Sequence, residues 1–188
     1  MSKLVPKKEE LNLAEHVWVP DDETVYELAK IVQDHISHPG EKESFVKVEL
    51  LGKRRIEKEF PKSWTYLVDK SHLQDLNDLI EMNSLHEAPL LDVLRRRWLK
   101  DSMYTYTGDF LVSINPYHMI AGQNDNPLRY LDMTPKYDSK KLLDPHVFAV
   151  ANSSLRKLTL PMTAVSEFKP SQSIIVTGES GAGEYIYY

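Results

Sequence analysis

The feature that most constrains this chain is a short apolar run, Ser173-Ile174-Ile175-Val176-Thr177, followed at once by Gly178-Glu179-Ser180-Gly181-Ala182-Gly183. A brief β-branched run bounded by glycine reads as a buried strand, the kind that fills a sheet covered on both faces. Glycines after such a strand let the backbone turn tightly and aim successive N–H groups inward, making a concave nest for phosphate oxygens. A helix opening just after the loop would add its N-terminal partial positive charge. Strand plus nest therefore point to an α/β fold; the bland alternative is a glycine-rich turn that merely ends a strand.

The full phosphate-loop pattern is G-x-x-x-x-G-K-[ST]. Gly178 and Gly183 fit its spacing, but Glu184 stands where lysine should meet the terminal phosphates, and Tyr185 where a small hydroxyl should hold Mg2+. Exchanging a cation for an anion about 4 Å from phosphate turns an attraction of about 4 kcal/mol into a similar repulsion at an effective dielectric near 20. Only Ile186-Tyr187-Tyr188 follow, so no helix dipole is expected to compensate. Triphosphate binding is expected to be weak or absent.

Other signals are more local. Val17-Trp18-Val19 is rich in strand formers and meets a turn signal at Pro20-Asp21-Asp22, and Val46, Val48 and Leu50 alternate with Lys47 and Glu49. Leu51-Gly52-Lys53 offers a turn, with Arg55 to Phe60 returning as a partner strand. Thr24 and Glu27 could form a capping box, with Val25, Leu28, Ala29 and Val32 at helical spacing, so this segment reads locally as a helix. Leu73, Leu76, Leu79 and Ile80 suggest a helix starting near Ser71. After Pro89, Leu90, Leu91, Leu94 and Trp98 form a second apolar stripe, expected to be a core face. Met103–Tyr106 and Phe110–Ile114 flank Thr107-Gly108-Asp109 as a hairpin, a polar loop runs from Asn115 to Asp144, and a helix is expected from about Pro145 to Leu158.

Composition narrows the function classes. An apolar share of 41% with 27% charged residues is that of a globular chain, and 188 residues suffice for one domain or a small domain joined to part of a larger one. The net charge of −5 gives no reason to expect nucleic-acid binding, and Lys53-Arg54-Arg55 and Arg95-Arg96-Arg97 read as solvated faces. Cysteine is absent, which excludes disulfides, thiol catalysis and cysteine-based zinc sites. His35 and His38 could share a helix face but lack a third ligand nearby, so no metal site is expected. Met1–Glu10 is not a secretory signal and no apolar run approaches spanning length, which suits a cytoplasmic protein. No catalytic residue is assigned.

Three ordered blocks carry a resemblance. "SIIVTGESGAG" (173–183), "LLDVLRRRWLKDSMYTYTGDFLVSINPY" (90–117) and "PHVFAVANSSLRKL" (145–158) resemble segments of myosin motor heads. Glu179, Ser180 and Ala182 are not required of a generic phosphate loop, so their joint presence points to one family. The resemblance implies a fold of the α/β class, an incomplete phosphate-loop NTPase motor core, preceded by a small all-β barrel of the Src-homology type. On that basis residues 1–13 are an extension, 14–62 the barrel and 63–188 the N-terminal part of a motor domain. The barrel would make Thr24–Val32 a strand, against its helical spacing. Asn115, Pro116 and Tyr117 match the turn that contributes to the family's adenine pocket. Met119-Ile120-Ala121-Gly122 replaces the usual continuation, and Tyr130 is a weak candidate for the tyrosine that is thereby missing.

The family is an actin-dependent ATPase motor using ATP and Mg2+, cytoplasmic and cytoskeletal. This chain is expected to be an inactive fragment of it that ends within the phosphate loop, where the abrupt departure at Glu184 reads as a splice or frame boundary. An exposed 173–177 strand would favour aggregation or chaperone capture. The rival expectation is a non-enzymatic interaction protein that uses the N-terminal barrel. A different phosphate-loop enzyme is disfavoured, because the family-like blocks extend well beyond the loop.

Overall fold

A computed structural model describes residues 12–52, 55–120, 126–131, 144–159, 171–179 and 181–182. The chain divides into two compact units: Met1–Asp75 with Glu81–Arg96, and Leu76–Ile80 with Arg97–Tyr188.

The first unit is built on five antiparallel strands: β1 (His16–Asp21), β2 (Val25–Ser37), β3 (Ser44–Leu50), β4 (Glu57–Pro61) and β5 (Tyr66–Leu67), in the spatial order β4-β3-β2-β1-β5. Val17, Val19, Ala29, Val46, Val48 and Leu50 close one core, with Ile31 and Phe60 against it. Trp18 points the other way, into a second cluster with Val68, Leu73 and Ala88. β1 is thus buried on both faces, which is why it reads as a continuous apolar run while β3 alternates. It continues through Pro20 to Asp21, and the turn comes at Asp22–Thr24.

Within the Thr24–Val32 segment, Thr24 is turn and Val25–Val32 is strand, not helix. The Asp21 carboxylate accepts from the Glu23 N–H, the Thr24 N–H and the Thr24 hydroxyl, so Thr24 closes a hairpin turn rather than capping a helix. β2 is long because it serves two partners: Val25–Lys30 pair with β1, and Ala29–Ser37 with β3 across two register shifts. His35 lies in this irregular stretch at φ +57° and bonds to the Lys62 ammonium, so the expected shared helix face with His38 does not exist.

The helix expected from Ser71 is replaced by two short 3-10 turns, Lys70–Leu73 and Leu79–Glu81. The backbone here spends its polar groups elsewhere. The Arg96 guanidinium donates to the carbonyls of His72, Leu73 and Gln74, which a continuing helix would need for its own N–H groups. Apolar spacing alone could not register that competition.

Helix α1 (Glu87–Trp98) forms as expected, with Pro89 in its first turn. The buried face differs from the predicted stripe. Ala88, Pro89, Val93 and Arg97 are buried, whereas Leu91 and Trp98 stand partly in solvent. Arg97 tolerates burial because its guanidinium donates to the Leu76 carbonyl, the Asn77 side chain and the Tyr104 carbonyl at 2.8–3.0 Å. Of the triple-arginine run expected to be a solvated face, only Arg95 is exposed.

In the second unit β6 (Tyr104–Thr107) and β7 (Phe110–Ser113) form the expected hairpin around Gly108, whose φ is +60° and whose N–H donates to Asp78. Helix α2 (Val147–Thr159) matches the expected one closely. Its buried residues are Ala149 and Asn152, while Leu155 and Leu158 are partly exposed. No described helix is long and apolar enough to cross a membrane.

Candidate functional site: the Asn115 turn and the glycine loop

β7 delivers the chain through Ile114 into Asn115-Pro116-Tyr117, and hydrogen bonds fix this turn from several directions. The Asn115 side-chain oxygen accepts from the Tyr117 N–H at 2.8 Å, an Asx turn that holds Tyr117 at φ +58°. The Asn115 carbonyl accepts from the Trp98 indole N–H at 3.2 Å, and the Pro116 carbonyl meets His118 Nδ1 at 2.8 Å. Pro116 is buried, while Tyr117 is 80% exposed.

The remaining group of Asn115, its amide Nδ2, donates to the Gly181 carbonyl at 3.1 Å. Two motifs 66 residues apart in sequence, the predicted adenine-side turn and the predicted phosphate loop, therefore touch. Within the loop Gly178 and Glu179 are exposed, Gly181 takes φ +89°, and the Ala182 N–H donates to the Glu179 carbonyl at 2.9 Å. A side chain at Gly181 would meet no neighbour but would strain the backbone, so glycine is required here for its conformation. Ser180, Gly183, Glu184 and Tyr185 lie outside the described residues.

The run before the loop departs from expectation. Residues 171–179 are without assigned strand structure, and Ile174, Ile175 and Val176 are 56%, 85% and 68% exposed. Among the described residues this run pairs with no strand, so the buried strand predicted for Ser173–Thr177 is absent. A buried strand needs neighbours on two edges and cover on two faces, and the described residues do not supply them.

Tyr130 is likewise not placed to close a ligand site. It is 8% exposed, stacked on His146 at 4.7 Å and set edge-on to Phe148, inside a cluster with Tyr106 and Ala149. Among the described residues no group of three His, Cys, Asp or Glu is arranged to hold a metal ion.

Residues 76–186, well over half of the chain, match the family model for the myosin head (motor domain). The chain belongs to the myosin head family. It is 42% identical over 113 residues to "Myosin heavy chain 95F" of Drosophila melanogaster, covering 59% of this chain and 8% of that one. It is 35% identical over 170 residues to "Myosin type-2 heavy chain 2" of Schizosaccharomyces pombe (89% and 7%), and 34% identical over 175 residues to "Unconventional myosin-Va" of Rattus norvegicus (90% and 9%). The last two matches are too long to fit within residues 76–186, so the likeness reaches into the β1–β5 sheet. The chain spans less than a tenth of the length of these myosins.

Sequence reasoning missed Trp98 and His118, which meet the Asn115 and Pro116 carbonyls, and Asp101, whose carboxylate lies 3.0 Å from His118 Nε2. Spacing gave no sign of them, because they come together only through the end of α1.

Proposed function

We propose that this chain is the N-terminal part of a myosin-type motor head, with residues 14–62 as its small barrel and residues 63–188 entering the motor core. Its nucleotide side is formed by the Asn115-Pro116-Tyr117 turn and the loop from Gly178 to Tyr185. The observation that carries this reading is the Asn115–Gly181 hydrogen bond, which joins the two motifs that such a site requires. In the parent protein the site would take ATP with Mg2+, the partner would be actin, and the setting would be the cytoplasmic cytoskeleton.

The chain with this sequence does not hydrolyse ATP. In the sequence pattern Glu184 stands at the position where lysine meets the terminal phosphates, and Tyr185 at the position where serine or threonine serves Mg2+. Calorimetry of the 188-residue chain with Mg2+ and ATP tests this directly. No heat of binding at micromolar ATP is expected, and the Glu184→Lys/Tyr185→Thr double variant should gain affinity. Micromolar binding by the unaltered chain would overturn the charge argument; no gain in the double variant would remove the loop as a phosphate site.

A further inference from the structure

Residues 171–179 run without turn or bend, and all of them are exposed. Within them Ser171-Gln172-Ser173-Ile174-Ile175-Val176-Thr177-Gly178 holds no charge and no proline; Pro170 stands before it and Glu179 after it. Ile174, Ile175 and Val176 are 56%, 85% and 68% exposed, and no described strand pairs with them. An uncharged segment of this length, with β-branched residues at its centre, has the composition that stacks on copies of itself.

The five-stranded sheet shows what a guarded edge looks like. It ends at β4 on one side and at β5 on the other. β4 carries Glu57, Lys58 and Glu59 and closes on Pro61, and β5 is only two residues long. Charge, proline and shortness each stop a strand of a second molecule from joining such an edge. Residues 171–178 have none of these guards.

Charge selects the occupant. Pairing with β4 of another copy would set Ile174–Val176 against Glu57–Glu59. Pairing with the same segment of another copy, in parallel and in register, sets each isoleucine and Val176 on its own counterpart. Gln172 then meets Gln172, and stacked amides form a hydrogen-bonded ladder. No residue from Ser171 to Gly178 is ionised, so this register carries no like-charge penalty until Glu179, where the ladder ends. We propose that residues 171–178 are a self-recognition segment: the partner of this surface is the same segment of a second copy of the 188-residue chain, added as a parallel, in-register strand.

The chain lacks cysteine, so a single introduced one reports on this segment alone. Sedimentation velocity of the unaltered 188-residue chain should show association that grows with concentration. A spin label on Ile175→Cys should show exchange narrowing in the associated material, because in-register stacking brings identical positions to about 4.8 Å. Ile175→Lys stacks like charges at that spacing and removes apolar burial, so about tenfold more protein should be needed for the same associated fraction. Ile175 is exposed in the single chain, so this variant should keep the near-ultraviolet circular dichroism of the parent. Leu67→Lys, the same change at another residue that is 75% exposed, should leave association as it was. A chain that stays monomeric at every concentration, Ile175→Lys associating like the parent, equal loss of association in Leu67→Lys, or associated label without exchange narrowing would overturn the proposal. No nucleotide is needed, so each outcome is independent of whether the loop binds ATP.

Discussion

Two apolar runs of similar chemistry meet opposite fates in this chain. Val17-Trp18-Val19 lies in β1 with every side chain buried, flanked by β2 on one edge and β5 on the other. Ser173-Ile174-Ile175-Val176-Thr177 carries as much β-branched surface, yet it stands in solvent and pairs with no strand among the described residues. Both runs are rich in strand formers. What differs is the supply of neighbours. β1 is reached by partners within 50 residues of sequence, whereas the second run finds none among the described residues. A strand is a property of a sheet, not of a segment.

The largest expected effect follows from that contrast. Trp18→Ala should cost about 3–5 kcal/mol of unfolding free energy, because it opens a cavity in the second cluster and removes the bond to the fully buried His72. Urea denaturation measures it, and a loss below about 1 kcal/mol would mean that β1 is not the buried centre described.

Next comes Arg97→Ala. It leaves the Leu76 and Tyr104 carbonyls and the Asn77 side chain without their charged donor, and a loss of about 2–3 kcal/mol is expected. Loss of cooperativity in the unit that contains β6 and β7 would sharpen the comparison, since it would show that a charged residue rather than an apolar one anchors that region.

A smaller effect is expected from pH. His86 stacks on Tyr66 at 4.5 Å with both ring nitrogens buried and unpartnered among the described residues, and burial, then neighbouring His72, lowers its pKa from the ordinary 6.5. The unfolded chain therefore takes up this proton before the folded chain does. Stability should be full above about pH 6.5 and fall as the pH drops toward the lower folded value. Chemical denaturation at pH 7.5 and pH 5.5 should show that decline, and His86→Gln should flatten it. An equal decline in the variant would assign the pH dependence to other groups.

The smallest effect belongs to the exposed run. Ile175→Ala should change stability by no more than about 0.5 kcal/mol. If it costs as much as a β1 substitution, the run is buried in solution and the contrast between the two segments disappears.

Local patterning made much of this architecture legible. β1, β3, β4, the β6–β7 hairpin and helix α2 follow from period-two alternation, turn residues and helical spacing, because each element's partner is close in sequence or its apolar face is continuous. β2 was legible only through family resemblance, since Thr24 and Glu27 mimic a helix cap and the deciding contact is the Asp21 carboxylate. The Ser71–Ile80 helix failed for a related reason: Arg96, more than 20 residues away, takes the carbonyls that such a helix would use. At the candidate site Asn115 and Gly181 were both picked out from sequence, and the described structure brings them into contact. Trp98, Asp101 and His118 were not, because their roles depend on where a helix ends rather than on what residue they are.

The amino-acid order by itself determined the family, the residue types along the Gly178–Gly183 stretch, and the local choice of strand or turn wherever polar groups could be satisfied nearby. Tertiary structure decided which apolar runs became buried, which face of α1 turned inward, and how the Trp98 indole came to meet the Asn115 carbonyl. The division has one physical cause: backbone and buried polar groups must all find partners, and those partners can lie anywhere along the chain.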